Sequence, residues 1–295
     1  MPDTTASLLR KIGSAGDLQS VVRTMKTMAA AGVSQFENAA DALHEYARTI
    51  QLGQIACLRG SNPQALGEIS PYATTTTKAI VLVFGTDQGL VGQFNDTLVN
   101  FVITFLATLP GEKSIWAVGG RLQAGLAEAG LATATSFALP GSISAITPLV
   151  GTILNEIETH RATGYLPCVY VLHNHPDMGA LYTPVSQRLL PLDEIWRQTL
   201  TTIPWPTPML PEVLNSHVAT FLAFIREYLV VSLARACTES LASENACRLA
   251  AMQRAEKNID DLLEDLQRTY HRLRQSSIDE ELFDVISGFE ALEKS

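Results

Sequence analysis

The glycine-rich stretch Gly85-Thr-Asp-Gln-Gly-Leu-Val-Gly92 is the first candidate for chemistry, because it follows an apolar run and precedes a helical pattern. Such a turn can bind phosphate through the backbone N–H groups at the start of the helix. A Walker loop, however, needs Lys and then Ser or Thr after the second glycine of G-x-x-x-x-G, and no Lys follows here. The glycine spacing also differs from the dinucleotide pattern G-x-G-x-x-G. The sequence therefore favours a strand-to-helix turn over a phosphate cradle.

A second candidate, His173-Asn-His175-Pro-Asp177, places two imidazoles and a carboxylate after another apolar run. Side chains two residues apart on a strand point to the same face, so the geometry would permit a metal site. No H-E-x-x-H helix accompanies the pair, and no G-x-S-x-G elbow occurs elsewhere. We therefore predict a polar loop at this position, and we expect no catalytic residue, metal site or cofactor in the chain.

Composition excludes several classes of protein. The net charge of −9 argues against a nucleic-acid binder, which would need a basic stripe. Apolar runs such as Ala79–Phe84, Phe101–Leu109 and Tyr228–Ala236 are each too short to span a bilayer, and the first residues do not resemble a signal peptide. The four cysteines form no C-x-x-C pair, which indicates reduced thiols. These features predict a soluble cytoplasmic protein that can sit on a membrane complex without direct lipid insertion.

The C-terminal residues Glu212–Leu292 predict one very long helix, which neither glycine nor proline interrupts between Pro211 and Gly288. Apolar residues recur along it at intervals of seven, at Met252, Ile259, Leu266 and Leu273. That interval is typical of a left-handed coiled-coil seam. At about 1.5 Å per residue the helix would be roughly 120 Å long, so we expect part of it to project from any globular core.

Residues 7–58 carry a second heptad pattern. It falls at Leu8, Ala15, Val22, Ala29, Phe36, Leu43 and Ile50. An amphipathic helix on a globular core would give a similar stripe, but average helices are much shorter. Small side chains in Met28-Ala-Ala-Ala-Gly-Val33 would let two helices approach closely. We therefore expect the N- and C-terminal helices to form an antiparallel two-helix coiled coil.

The middle of the chain alternates predicted strands with predicted helices, which indicates a small parallel α/β sheet domain of Rossmann-like type. The predicted strands are Ala79–Phe84, Ser114–Val118, Leu131–Phe137 and Pro167–Leu172, and the helices are Phe94–Thr108, Gly120–Ala129 and Ile143–Thr159. A loop is expected over residues 60–77 and a proline-rich connector over residues 199–211. The predicted domains are residues 1–60 and 211–295 as coiled-coil helices, and residues 61–210 as the α/β domain with its connector.

Several stretches resemble the gamma subunit of F-type ATP synthases. The C-terminal ones are Ser243-Glu-Asn-Ala-Cys-Arg-Leu-Ala-Ala-Met252, Tyr270-His-Arg-Leu-Arg-Gln-Ser-Ser-Ile-Asp-Glu-Glu-Leu282 and Ile286-Ser-Gly-Phe-Glu-Ala-Leu292. They resemble the family patterns S-E-x-x-A-R-M-x-A-M, Y-N-x-x-R-Q-A-x-I-T-x-E-L and G-A-x-A-L. The N-terminal segment from Ile12-Gly-Ser14 through Thr24-Met-Lys-Thr-Met-Ala-Ala-Ala31 looks like the family's start, and Phe84–Asn95 is similar to its S-D-R-G-L-C-G-G-x-N turn. The resemblance covers the whole chain in order and is strongest from Leu241 onward.

The resemblance implies a non-catalytic rotor shaft that turns inside a ring of catalytic subunits and changes their nucleotide affinity in sequence. Its partners would be the alpha and beta subunits of that ring, the epsilon subunit and the membrane c-ring, on the cytoplasmic face of a bacterial inner membrane. The positions that match shaft contacts with the catalytic ring are Met25, Lys26, Asp87, Gln88, Arg274, Gln275, Ile278, Asp279 and Glu281.

The chain departs from the family pattern in its charges. No Lys or Arg occurs between Lys26 and Arg48, Gln88 replaces a usual Arg, and Asp279 replaces a usual Thr. These departures suggest a divergent branch, for which the sodium-pumping rotary ATPase of some bacteria is one hypothesis. Two other classes stay open: a coiled-coil scaffold with an α/β head, and an enzyme that uses Asp87 or His173.

Overall fold

The computed structural model describes residues 4–60, 78–162, 167–177, 179–192, 194–209, 211–214 and 216–293. The predicted loop over residues 60–77 lies, except for Gly60, outside these ranges. Contacts divide the chain into two compact units. Unit 1 consists of Met1–Ala30 with Arg248–Ser295, and unit 2 of Ala31–Cys247. The predicted three-part domain division follows other boundaries and stays a prediction.

The sheet of unit 2 has five strands in the order β3-β2-β1-β4-β5. The strands are β1 (Lys78–Phe84), β2 (Glu112–Val118), β3 (Thr133–Phe137), β4 (Cys168–Pro176) and β5 (Tyr182–Leu190). The first four run parallel, which confirms the prediction of a parallel α/β sheet. β5 pairs antiparallel with β4 at the edge of the sheet. β5 was not predicted, because Pro184 interrupts its polar sequence, and strands that contain proline are largely confined to sheet edges.

The helices are α1 (Thr5–Gly60), α2 (Phe94–Thr108), α3 (Gly120–Glu128), α4 (Ile146–Ala162), α5 (Glu194–Thr202) and α6 (His217–Glu293), with a 3-10 turn over Ile143–Ala145 before α4. Both terminal segments thus form long helices, as predicted. α6 begins at His217 rather than Glu212, since the described residues between Pro211 and Ser216 are not helical. α5 was not predicted.

Both faces of the sheet are covered, so the apolar run of β1 is buried from Ala79 to Phe84. Alternate β1 side chains point to opposite faces. Leu82 and Phe84 share one core cluster with residues of α1, α4 and α6, and Val81 and Val83 share the other with residues of α2 and α3. The helices therefore fix the sheet between two apolar layers.

Within unit 1, α1 and α6 run antiparallel. Gln19 hydrogen-bonds Asp260, whereas Arg23 and Lys26 bind Glu256. The residue number therefore decreases along α6 as it increases along α1. Val22, Met252 and Ile259 form the buried seam between them. The heptad positions of α1 are buried in this unit, with Leu8, Ala15, Val22 and Ala29 each at most 8% exposed. The predicted antiparallel pairing is confirmed.

Within unit 2, α1 and α6 approach closely at two glycines of α1. A Cβ atom at Gly53 would lie 2.3 Å from Cζ of Phe224, and one at Gly32 would lie 2.6 Å from Oδ1 of Asn245. Contacts that short do not occur between real atoms, so a side chain at either glycine would force Phe224 or Asn245 to move. The close approach predicted from the small residues around Gly32 is confirmed.

Among the described residues, one helix, α6, is long and apolar enough to cross a membrane by length and composition alone. The run Tyr228–Ala236 is short by itself, but it belongs to this longer helix. The hydropathy has an explanation in the fold, since Phe221, Ile225, Leu229 and Leu233 are all buried in the core cluster against the sheet.

Candidate interaction surfaces

The turn after β1 is held by its own hydrogen bonds. Asn95, in the first turn of α2, donates through Nδ2 to Oγ1 of Thr86 at 2.8 Å and accepts from the Thr86 N–H at 3.3 Å. Thr86 in turn donates through Oγ1 to the carbonyl oxygen of Gln88 at 2.9 Å. Leu90 and Gly92 both have positive φ, which lets the chain reverse before α2. This is the predicted strand-to-helix turn.

Asp87, one of the predicted contact residues, is exposed but makes contacts inside unit 2. Its Oδ1 accepts from the N–H of Gly120 at 2.6 Å, and its Oδ2 accepts from the N–H of Leu139 at 3.2 Å. Gly120 is the first residue of α3, so the carboxylate satisfies an N–H group that the helix leaves unpaired. Asp87 therefore joins three segments of the α/β unit. The neighbouring Gln88 is also exposed.

We expect Asp87→Ala to lower the free energy of unfolding of the α/β unit by about 1 kcal/mol, the usual cost of losing a helix-capping side chain. Gln88→Ala is the matched control, since a surface substitution away from such contacts stays within about 0.5 kcal/mol. Urea unfolding followed by tryptophan fluorescence measures both changes. Equal stability of the two variants would contradict the capping role.

Met25 and Lys26, the predicted contacts on the first helix, both lie at the pairing of α1 with α6. Lys26 Nζ is 2.5 Å from Oε2 of Glu256, and Arg23 Nε is 2.9 Å from Oε1 of the same carboxylate. The hydrogen bonds from Lys26 and then Arg23 lower the pKa of Glu256 below its ordinary value. Met25 is half-buried against the seam around Val22. These side chains thus hold the two helices in register.

The remaining predicted contacts lie at the far end of α6, where residues 274–293 form what we call the α6 tip. Gln19 pairs with Asp260 and Arg23 pairs with Glu256, so a step of four residues on α1 matches a step of four on α6. Because both helices rise by about 1.5 Å per residue, the same register brings Thr5, the first residue of α1, level with Arg274. The tip therefore extends past the described start of its partner helix. Every side chain from Arg274 to Ser287 is exposed, including the predicted contacts Arg274, Gln275, Ile278, Asp279 and Glu281.

The α6 tip also presents large apolar side chains, of which only Ile278 is a predicted contact. Ile278, Leu282, Phe283, Val285 and Ile286 are 46% to 68% exposed. Ile278, Leu282 and Val285 follow the spacing of one helix face. A run of exposed apolar residues on one face marks an interaction surface. These residues lie beyond the heptad repeat, which ends at Leu273.

The predicted polar loop at His173 is wrong, because β4 continues through Pro176 and carries both histidines. His173 Nε2 lies 2.7 Å and His175 Nδ1 lies 3.0 Å from Oε2 of Glu239, on α6. Asp177 does not join them. Its carboxylate accepts from the N–H of Gly179 and the hydroxyl of Thr183, and these two bonds lower its pKa.

α6 also covers the carboxyl ends of the two central strands. Ser240 donates to the carbonyl oxygen of Phe84, at the end of β1, at 3.1 Å, and Ser243 donates to that of Asn174 on β4 at 3.0 Å. The strand order reverses between β1 and β4, and open α/β sheets bind their ligands in the crevice at that point. The chain's own helix therefore occupies the position at which related sheets bind nucleotides.

Comparison with known proteins matches this architecture to one family. A family model described as ATP synthase matches residues 4–292. ATP synthase gamma chains from Glaesserella parasuis and Histophilus somni are 27% and 26% identical to this chain, each alignment covering 96% of this chain and 97% of the relative. A chain of the Euglena gracilis mitochondrial ATP synthase has the same fold, with a TM-score of 0.62 at 16% identity over 98% of this chain and 94% of that one. A Tetrahymena thermophila chain matches with a TM-score of 0.53 at 20% identity over 80% of this chain and 99% of that one. The chain belongs to the ATP synthase gamma-chain family.

Proposed function

We propose that this chain is the central rotor shaft of an F-type ATP synthase. It would couple ion flow through a membrane ring to ATP synthesis or hydrolysis in a catalytic ring by rotation. The observation that carries the proposal is the family match from residue 4 to residue 292, which includes both long helices and the α/β unit between them. The similar Tetrahymena chain comes from an assembly described as a central stalk and c-ring.

The helix pair of unit 1 has the mechanical properties that a shaft needs. Interlocked apolar side chains at Val22, Met252 and Ile259 resist sliding of one helix along the other. The bonds from Arg23 and Lys26 to Glu256 lie beside that seam. Since α6 continues past the start of α1, the pair ends in a single helix and is asymmetric. An asymmetric rod that turns presents a different side to each surrounding subunit.

The α6 tip is the proposed bearing surface toward the alpha and beta subunits of the catalytic ring. Its apolar side chains would be buried there, flanked by Arg274, Gln275, Asp279 and Glu281 as polar contacts. Met25 and Lys26 would touch the same ring beside the helix seam. Asp87 and Gln88 would contact it at the turn, where the Asp87 carboxylate already binds Gly120 and Leu139.

The α/β unit would contact the epsilon subunit and the membrane c-ring. The chain has no catalytic role, because the catalytic sites of the complex belong to the beta subunits. Its place would be on the cytoplasmic face of a bacterial inner membrane, held through partners rather than by lipid insertion. The similar gamma chains of Glaesserella parasuis and Histophilus somni, which are bacterial, support that placement.

We also propose that the chain serves a divergent, sodium-pumping branch of these enzymes. The charge departures support this assignment: no basic residue stands between Lys26 and Arg48, and the net charge is −9. An exposed ion pair is worth about 1 kcal/mol or less, so the lost pairs would weaken contacts without preventing assembly.

Co-purification tests the proposal against the alternative of a coiled-coil scaffold. Affinity capture of the full chain from its own cells should bring down partners that hydrolyse ATP, and that hydrolysis should depend on sodium if the branch assignment is correct. Capture of the chain with partners that lack ATPase activity would favour the scaffold and overturn the rotor. ATPase activity that is indifferent to sodium would overturn only the branch.

A further inference from the structure

The cluster of His173, His175 and Glu239 in unit 2 takes no part in the helix seam or in the partner contacts proposed above. Each residue offers one ligand atom, and the three atoms lie within 4.8 Å of one another. His173 is 3% exposed, whereas the side chain of His175 is half exposed. We infer that these three residues bind a divalent transition-metal ion, with zinc as the best fit, and that the ion fastens β4 to α6.

The fold brings Glu239 to the two histidines, although it lies 66 residues after His173 in the sequence. His173 and His175 stand two apart on β4 and so point to the same face of the sheet, the face that α6 covers. Glu239 is fixed above them because the next residue, Ser240, hydrogen-bonds the end of β1. Two ligands from a strand and one from a helix therefore meet at a packed junction of two rigid elements.

The chemistry of the donor set selects the metal. Two imidazole nitrogens and one carboxylate oxygen suit zinc and its first-row neighbours, whereas magnesium and calcium require mostly oxygen ligands. Zinc with bonds of about 2.0–2.1 Å in tetrahedral geometry separates its ligand atoms by roughly 3.3 Å. The observed separations of 2.7 Å and 3.0 Å from Glu239 Oε2 would open by about 0.6 Å and 0.3 Å, and the two histidine nitrogens, which lie within 4.8 Å of each other, would also move to that distance. Three protein ligands leave a fourth position for water beside the exposed edge of His175.

Oε2 is the carboxylate oxygen of Glu239 that faces both histidines. Arg235 Nε lies 3.5 Å from Oε1, so it holds one carboxylate oxygen and leaves Oε2 for the metal. The same positive charge opposes a cation, and Nδ1 of His173 has no hydrogen-bond partner among the described residues to strengthen its ring as a ligand. We therefore expect weaker binding than at a structural zinc site with a complete second layer of hydrogen bonds.

Titration of zinc into the chelator-treated full chain tests the site, with calorimetry for stoichiometry and thermal unfolding for stabilisation. We expect one zinc per chain and a higher unfolding midpoint, with no such response to magnesium or calcium. His175→Gln should weaken binding at least about tenfold, and because the His175 side chain is half exposed, the substitution leaves the folded core intact. Glu239→Gln should weaken zinc binding to a similar extent. When Co²⁺ replaces zinc, the visible absorption of a four-coordinate ion should appear with the unmodified chain and not with either variant.

His160→Gln is the matched control, because Nδ1 of His160 lies 3.8 Å from the carboxylate Oε1 of Glu156 but His160 joins no three-ligand cluster among the residues that the structure describes. It should bind zinc as the unmodified chain does. No saturable binding at micromolar zinc would overturn the inference and leave a hydrogen-bonded cluster that ties β4 to α6. Binding that His175→Gln leaves unchanged, or that His160→Gln reduces equally, would also overturn it.

Discussion

Removal of residues 276–295 is expected to uncouple ATP hydrolysis from ion transport in the assembled complex, while the α/β unit stays folded. The deletion takes away all five exposed apolar side chains of the α6 tip, and burial of one such side chain is worth about 1.5–3 kcal/mol. Loss of two of them already exceeds a tenfold change in an equilibrium. We therefore expect at least a tenfold fall in ions transported per ATP hydrolysed, measured in vesicles that contain the reconstituted complex.

A full-length variant shows whether the effect of the deletion comes from the lost apolar contacts of the α6 tip or from the shorter helix. Leu282→Asp with Val285→Asp keeps the helix but places two charges on its apolar face, and it should reproduce most of the loss. Asp279→Asn with Glu281→Gln changes only the polar flank and should have a much smaller effect. If the truncated complex transports as many ions per ATP as the complete one, the α6 tip is not the bearing surface.

Gly119→Ala is expected to destabilise the α/β unit by about 2–6 kcal/mol, the sum of two costs. Gly119 has φ +108°, a conformation that costs an alanine about 1–3 kcal/mol. The new Cβ would also lie 2.6 Å from the backbone oxygen of Thr86, which accepts the N–H groups of Arg121 and Leu122. Because backbone cannot rotate aside as a side chain can, relief of this contact must disturb the start of α3, at a further cost of about 1–3 kcal/mol.

Gly130→Ala distinguishes the two causes. Gly130 also has positive φ, at +78°, but nothing lies within 4 Å of the position of its Cβ. Alanine there should cost only the conformational part, about 1–2 kcal/mol. All three tryptophans belong to unit 2, so fluorescence-detected urea unfolding reports on that unit. Equal losses in the two variants would show that the contact with Thr86 carries no energy.

Local patterns predicted the elements that depend on a single periodicity. The heptads that begin at Leu8 placed the buried face of α1, and the run Ala79–Phe84 placed β1, because each pattern repeats over many residues. β5 and α5 carry weaker signals. β5 contains Pro184, and its stability comes from pairing with β4, which a local pattern does not reveal.

The candidate sites divide in the same way. The contacts at the α6 tip follow from the resemblance, which is strongest from Leu241 onward, and they stay a prediction. The hydrogen bonds of Asp87 could not be predicted from sequence, since its partners Gly120 and Leu139 are remote in the chain. The histidines of β4 were noticed, but their third partner, Glu239, lies 66 residues after His173 and was not.

The sequence by itself determined the two long terminal helices, the parallel α/β middle and the family to which the chain belongs. These follow from repeats and motifs that each lie within one continuous stretch. Only the tertiary structure decided that Glu239 meets His173 and His175, and that Gly119 must lack a side chain. Such facts depend on distances between segments far apart in the chain, and those distances are set by how α6 and α3 pack on the sheet.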